Sequence, residues 1–204
     1  MHNVCFADDS LYTGFSSLYG DTITVTEPGN IWDLTLKEYC KGYRNRPPWG
    51  IATADFHAEG ESGEQLGSYQ NFFLVKDKTK DAVLTALRNG KMYACQVNYP
   101  RILRLNEFSV SPTDGTAKGI SGDEIVLNGF PRIRISISSQ GNTANSVKVR
   151  LIRSGQQIYD FEEKLPLQID YIDPYYKPGE KIYYRMDMRG SGTIVSNPVF
   201  VKFE

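Results

Sequence analysis

Ile133, Ile135 and Ile137 alternate with Arg132, Arg134 and Ser136, and Val147, Val149 and Leu151 alternate with Lys148 and Arg150. Successive side chains of a strand point to opposite faces, so this pattern demands strands with one face in a core and the other in water. Ile182, Tyr184, Met186 and Met188 repeat it against Tyr183, Arg185, Asp187 and Arg189. Ser154-Gly155, Pro178-Gly179 and Gly190-Ser191-Gly192 supply reversals between the runs. A stretch of this grammar predicts an antiparallel β-sandwich over residues 99–204.

The residues before Asn98-Tyr99-Pro100 read differently, with helix and strand taking turns. Asn30 caps a helix over 31–40, Gly42 lies just past its end, and Pro47-Pro48 bars continuation. Trp49 to Ala54 is a short run without polar alternation, as in a parallel strand covered on both faces. Tyr69 to Val75 reads as a second strand. A second helix then opens at Thr79, with Val83, Ala86 and Leu87 on one face and Gly90 at its end. The expected class is therefore α+β: an incomplete α/β segment over 1–98, followed by the β-sandwich over 99–204.

At 204 residues the chain can bury a substantial core, as one large domain or two of ordinary size. A formal net charge of -1 gives no overall pull toward nucleic acid. No run approaches the roughly 18 apolar residues of a membrane helix. Cys5, Cys40 and Cys95 are odd in number and far apart, which disfavours a disulfide framework or a thiolate metal knuckle. They read as small apolar residues. The start, Met1 to Asp9, has no basic segment followed by an apolar core, so no secretory signal is visible in this chain, and its compartment is left open.

Asp55-Phe56-His57 directly follows Ile51-Ala52-Thr53-Ala54. In an extended segment the carboxylate and the imidazole project from one face and can reach one metal ion or one substrate oxygen. The plainer alternative is a strand ending in polar residues, with Asp55 capping a turn and His57 bonded to a backbone carbonyl. Open parallel sheets and barrels place their sites beyond the carboxyl ends of strands, and a Gly- and Glu-rich loop follows here, so both readings stand. Glu59, Glu61 and Glu64 in that loop offer carboxylates to a cation, although like charges among glycines read first as a solvated connector. His2, the only other histidine, lies beside the chain start, and Asp8 and Asp9 suit a surface turn. Arg44, Arg46, Arg88, Lys91 and Arg101 would attract phosphate, but Arg88 and Lys91 also complement the dipole at a helix end. Tyr171, Tyr175, Tyr176, Tyr183 and Tyr184 enrich the sandwich in tyrosine, either as half-buried sheet residues or as an interaction surface.

These residues carry a resemblance. Trp32-Asp33 in a helix, the segment Gly50 to His57, and the segment Lys80 to Ala94 together resemble the closing section of the PHP superfamily, named for polymerase and histidinol phosphatase. The match covers roughly residues 25 to 97. Val149-Arg150-Leu151-Ile152-Arg153-Ser154-Gly155, Tyr183-Tyr184-Arg185 and Ser196-Asn197-Pro198 are similar to the β-sandwich appended to some bacterial PHP-like proteins. The resemblance implies a metal-dependent phosphoesterase, a hydrolase whose distorted βα barrel holds two or three metal ions, with Asp55 and His57 as two of their ligands. The metal would be manganese, zinc or iron. The substrate would be a phosphorylated small molecule or other phosphoester. It assigns no catalytic residue and no substrate-binding residue within this chain.

The family opens with His-x-His and adds further His, Asp and Glu ligands, none of which precedes residue 25. The expectation is therefore a C-terminal portion of a longer protein, inactive alone and binding metal weakly or not at all. A reading from a different class is a non-enzymatic module whose sandwich recognises carbohydrate or a protein partner. An interrupted barrel would also leave strand edges open to self-association.

Overall fold

The computed structural model describes residues 13–19, 24–58, 67–97, 102–115, 117–140, 146–190 and 192–204. Alternation builds the centre of the molecule. Strands β5 (Ile102–Pro112), β6 (Gly119–Ile120), β8 (Pro131–Gln140) and β11 (Leu167–Ile172) form a four-stranded sheet in the order β11-β8-β5-β6. Ile133, Ile135 and Ile137 of β8 point inward and are buried, while Arg132, Arg134 and Ser136 between them stay half-exposed.

Facing this sheet is one of eight strands. It contains β3 (Tyr69–Phe73), β4 (Met92–Gln96), β7 (Glu124–Leu127), β9 (Val147–Arg153), β10 (Gln156–Glu163), β12 (Lys181–Arg189), β13 (Thr193–Ser196) and β14 (Val199–Phe203). Its main path runs β10-β9-β12-β13-β4-β3, and β14 pairs with β12 on one side and β7 on the other. Leu103, Phe108, Ile135, Val149, Leu151, Tyr184, Met186 and Met188 fill the space between the sheets.

A second core lies on the opposite side of the large sheet. Strands β1 (Gly14–Leu18) and β2 (Trp49–Ala52) pair in parallel, joined through the 3-10 turn Thr24–Thr26 and helix α1 (Ile31–Cys40). Asn30 caps α1 by accepting from the Ile31 N–H, and Gly42 follows at φ 77°. Trp32 and Leu36 lie on the inner helix face, and with Leu18, Trp49, Met92, Ala94, Tyr183 and Phe200 they close this core. Helix α2 (Lys80–Arg88) starts at Thr79, whose hydroxyl accepts from the Ala82 N–H. Gly90 ends it at φ 66°, where a Cβ would sit 2.4 Å from the Trp49 ring. Only glycine meets both demands.

The expectation of an α+β chain with an α/β segment over 1–98 is overturned here: the chain is mainly β, about 51% strand and 12% helix, with two α-helices among the described residues. The order strand, helix, strand over 69–96 suggests a parallel crossover, but β3 and β4 pair antiparallel, Tyr69 opposite Gln96 and Phe73 opposite Met92. Helix α2 therefore caps a hairpin-like pair rather than bridging parallel neighbours. On its other edge β4 pairs with β13, Ala94 opposite Val195, so one sheet runs through residues on both sides of position 98. Among the described residues two strand pairs are parallel, β1 with β2 through helix α1 and β7 with β14 without a helix between them, and no βα-barrel segment is formed.

The polar face of β12 also departs from its sequence pattern. Tyr183, Arg185 and Asp187 alternate with apolar neighbours as surface residues would, yet all three are 0% exposed. The α1 layer covers Tyr183 and Arg185, Asp33 of α1 pairs with Arg185, and Arg150 of β9 pairs with Asp187.

Candidate functional site

Ser17 Oγ donates to the Ile51 carbonyl at 3.0 Å, and the Thr53 N–H donates to the Leu18 carbonyl at 2.9 Å, which ties the carboxyl ends of β1 and β2 together. Ser16 and Thr53 share a hydroxyl contact of 2.6 Å beside them. Beyond this point the two strands deliver Tyr19, Asp55 and His57. Strand β2 ends at Ala52, two residues before the expected end, and Asp55 turns the chain at φ 50°, a left-handed conformation that aspartate tolerates better than most residues.

The turn leaves the carboxylate and the imidazole side by side. Asp55 Oδ1 lies 3.6 Å from His57 Nε2, and the two side chains are 56% and 71% exposed. Tyr19 donates its phenolic hydrogen to Asp55 Oδ2 at 2.8 Å. That bond, with the negative charge behind it, raises the Tyr19 pKa and keeps the phenol protonated. One carboxylate oxygen is thus held by the protein while the other faces the imidazole.

The donor types suit a borderline divalent cation, since imidazole nitrogen and carboxylate oxygen both ligate zinc, manganese and iron. Two donors fall short of the three or four that hold such an ion, and no group of three or more His, Cys, Asp or Glu that could do so occurs among the described residues. Glu59, Glu61 and Glu64, together with His2, Asp8, Asp9, Cys5 and Arg101, lie outside the described residues. Tyr19 escaped sequence reading because the five-residue run before it is too short to mark β1 as the partner of β2.

What fixes β2 in place was likewise hidden in the sequence. Its outer edge meets side-chain amides rather than another strand. Asn71 accepts from the Ala52 N–H and donates to the Ala52 carbonyl, both at 2.8 Å. Asn197 accepts from the Gly50 N–H at 2.8 Å and donates to the Gly50 and Met92 carbonyls at 3.1 Å. Each amide presents one donor group and one acceptor, as a strand backbone does.

Behind α1 a buried ionic cluster completes the support. Asp33, fully buried, accepts from Arg185 Nε and Nη2 at 2.7 Å, from the Tyr183 hydroxyl at 2.7 Å and from the Gly29 N–H at 2.8 Å. Arg185 also donates to the Thr26 carbonyl at 2.9 Å and stacks 5.0 Å above Trp32. Arg150 bridges Asp187 and Glu27, and Arg189 joins Glu27 at 2.5 Å. Burial and the Asp33 carboxylate both raise the Tyr183 pKa, so it stays a neutral donor.

The other sequence candidates are dispersed. Arg44 pairs with Glu38, Arg46 donates to the Arg88 carbonyl, and Lys91 pairs with Asp123, so they do not converge on one anion. Tyr184 donates to Asp173, Tyr175 to Glu180 and Tyr176 to Asn128, while Tyr171 packs 5.1 Å from the Tyr159 ring. Burial pushes the Cys40 and Cys95 thiols up to about 12, which keeps them protonated. Fold and site together describe a β-sandwich with an added helical layer that presents a Tyr-Asp-His cluster. No protein-family model matches this chain, and no match is found among curated proteins.

Proposed function

We propose that this chain is the C-terminal part of a metal-dependent phosphoesterase of the PHP type, in which Asp55 and His57 are two of several metal ligands and the β-sandwich is an accessory module. The observation that carries this reading is the paired exposure of Asp55 Oδ1 and His57 Nε2, 3.6 Å apart, just past the carboxyl ends of a parallel strand pair. A bound manganese, zinc or iron ion would polarise a phosphoryl oxygen and activate a water. Asp55 and His57 would hold their share of that ion. Tyr19, bonded to Asp55 Oδ2, orients the carboxylate as outer-shell partners of metal ligands do. The experiment is hydrolysis of p-nitrophenyl phosphate by the whole gene product with Mn2+. Activity lost in both Asp55→Asn and His57→Ala supports the reading, and activity indifferent to both overturns it.

A non-enzymatic binding role draws on a different observation. Tyr159, 45% exposed, lies 4.2 Å from the Phe161 ring and 5.1 Å from Tyr171, at the rim where β10 and β11 leave their sheets open. Binding to a carbohydrate panel that Tyr159→Ala abolishes would establish it.

A further inference from the structure

A cleft of about 570 Å³ opens between the last turns of α1, the reversal joining β9 to β10, and the start of β12. None of Tyr19, Asp55 or His57 lines it. Four cationic side chains do: Lys37, Lys41, Arg153 and Lys181, against one carboxylate, Glu180.

Their bonding divides these charges into two sets. Arg153 is fixed from behind, its Nη1 on both oxygens of buried Asp173 at 2.8 and 2.7 Å and its guanidinium 4.1 Å from the Tyr175 ring centre. Lys181 pairs with Glu124 at 2.6 Å and sits 3.9 Å over the Tyr39 ring. The Glu180 carboxylate accepts from the Tyr175 hydroxyl, and its charge is met by Lys177 at 3.9 Å. Lys37 and Lys41 have no ion pair among the described residues, so the positive charge of the cleft is only partly compensated. Lys37 is half-buried, and its Nζ lies 3.0 Å from where a Cβ on Gly155 would sit. Ser154 and Gly155, at φ 45° and 77°, form the tight reversal and bring Ser154 and Gln156 to the wall of the cleft as neutral hydrogen-bond donors.

We propose that this cleft binds a compact dianionic oxyanion, a phosphate group either free or on a small ester, between Lys37, Lys41 and Arg153, with Ser154 or Gln156 completing its hydrogen bonds. Two ammonium groups on flexible stems beside one guanidinium fixed by Asp173 match a tetrahedral oxyanion, because lysine adapts to a point of charge while arginine supplies fixed direction. The proposal stands apart from the phosphoesterase reading and survives its failure.

The test is a titration of the 204-residue chain with inorganic phosphate and, separately, with glycerol 3-phosphate, followed through backbone amide shifts in low salt. Saturable shifts confined to residues 37–41 and 153–156 are expected, with tighter binding of the ester if the cleft takes an esterified group and equal binding if it takes phosphate alone. Lys41→Glu, on an exposed side chain that bears on folding little, should weaken binding on the order of tenfold, and Lys37→Gln should weaken it with an unchanged unfolding midpoint. Shifts that never saturate, or an affinity that Lys41→Glu leaves intact, overturn the proposal.

Discussion

Asp33 shows how much one side chain can carry. It neutralises a guanidinium that is wholly enclosed, so Asp33→Ala would leave Arg185 as an uncompensated buried charge and should cost about 3–5 kcal/mol in urea unfolding. The pair itself is worth far less than its rupture, and Asp33→Leu with Arg185→Met is expected to recover part of that loss, the Tyr183 hydroxyl and the Gly29 N–H still lacking the carboxylate they bond to. Asp170 makes a milder case on the surface. Its bond to Arg132 holds its carboxyl below the usual aspartate value. A lowered folded pKa gives stability that is complete above the ordinary pKa, near 3.9, and fades as pH falls through the folded one. Unfolding midpoints between about pH 5 and 2 should therefore fall less steeply in Arg132→Gln than in the parent. At the candidate site, Tyr19→Phe removes the bond that orients Asp55 while leaving both proposed ligands in place. In the whole gene product it should lower metal affinity roughly 10–100-fold, read by calorimetry.

Strand β2 raises a different question, since a central-looking strand with one strand neighbour must satisfy its second edge somehow. Asn71 and Asn197 do so, which makes Asn197→Ala a test of the element rather than of a single bond. It strands the Gly50 N–H and carbonyl, and each unsatisfied buried group costs about 1–3 kcal/mol. The Gly50 amide should then exchange with solvent far faster, while amides in β8 stay protected. Both helices were legible in the sequence, as were β8 and β9, because capping residues and two-residue periodicity are local signals. The Asn30 cap, the Thr79 cap and the inward isoleucines all fall where the sequence put them. The direction of β3 against β4 was not legible. The order strand, helix, strand is compatible with either direction, and the second neighbour of β4 is β13, a hundred residues away, so the sheet that receives the pair is not visible locally.

Three layers share the eight-stranded sheet, and this explains both the misread class and the hidden part of the site. The polar residues of β12 look solvent-facing until α1 is placed over them, and nothing local to β12 announces that cover. A hint sits on α1, where Asp33 occupies the same face as Trp32 and Leu36, a charge on an apolar stripe that calls for a buried partner. Asp55 and His57 were legible as a pair, whereas Tyr19 required knowing that β1 lies beside β2. Because α1, β1 and β2 cover the outer face of the large sheet, residues 99–204 expressed alone should expose Tyr183 and Phe200 and bind a hydrophobic dye or aggregate. A soluble, dye-negative fragment with a cooperative melt would argue that the sandwich folds independently. The Arg185 clamp has one further consequence for assembly. Grease tolerates sliding, but a guanidinium held by Asp33 and the Thr26 carbonyl, with Tyr183 bonded to the same carboxylate, accepts α1 in one rotation and one height only. The ionic cluster thus acts as an address for the helix rather than as its adhesive, and a chain that misplaces α1 by a single turn pays at once in stranded charge.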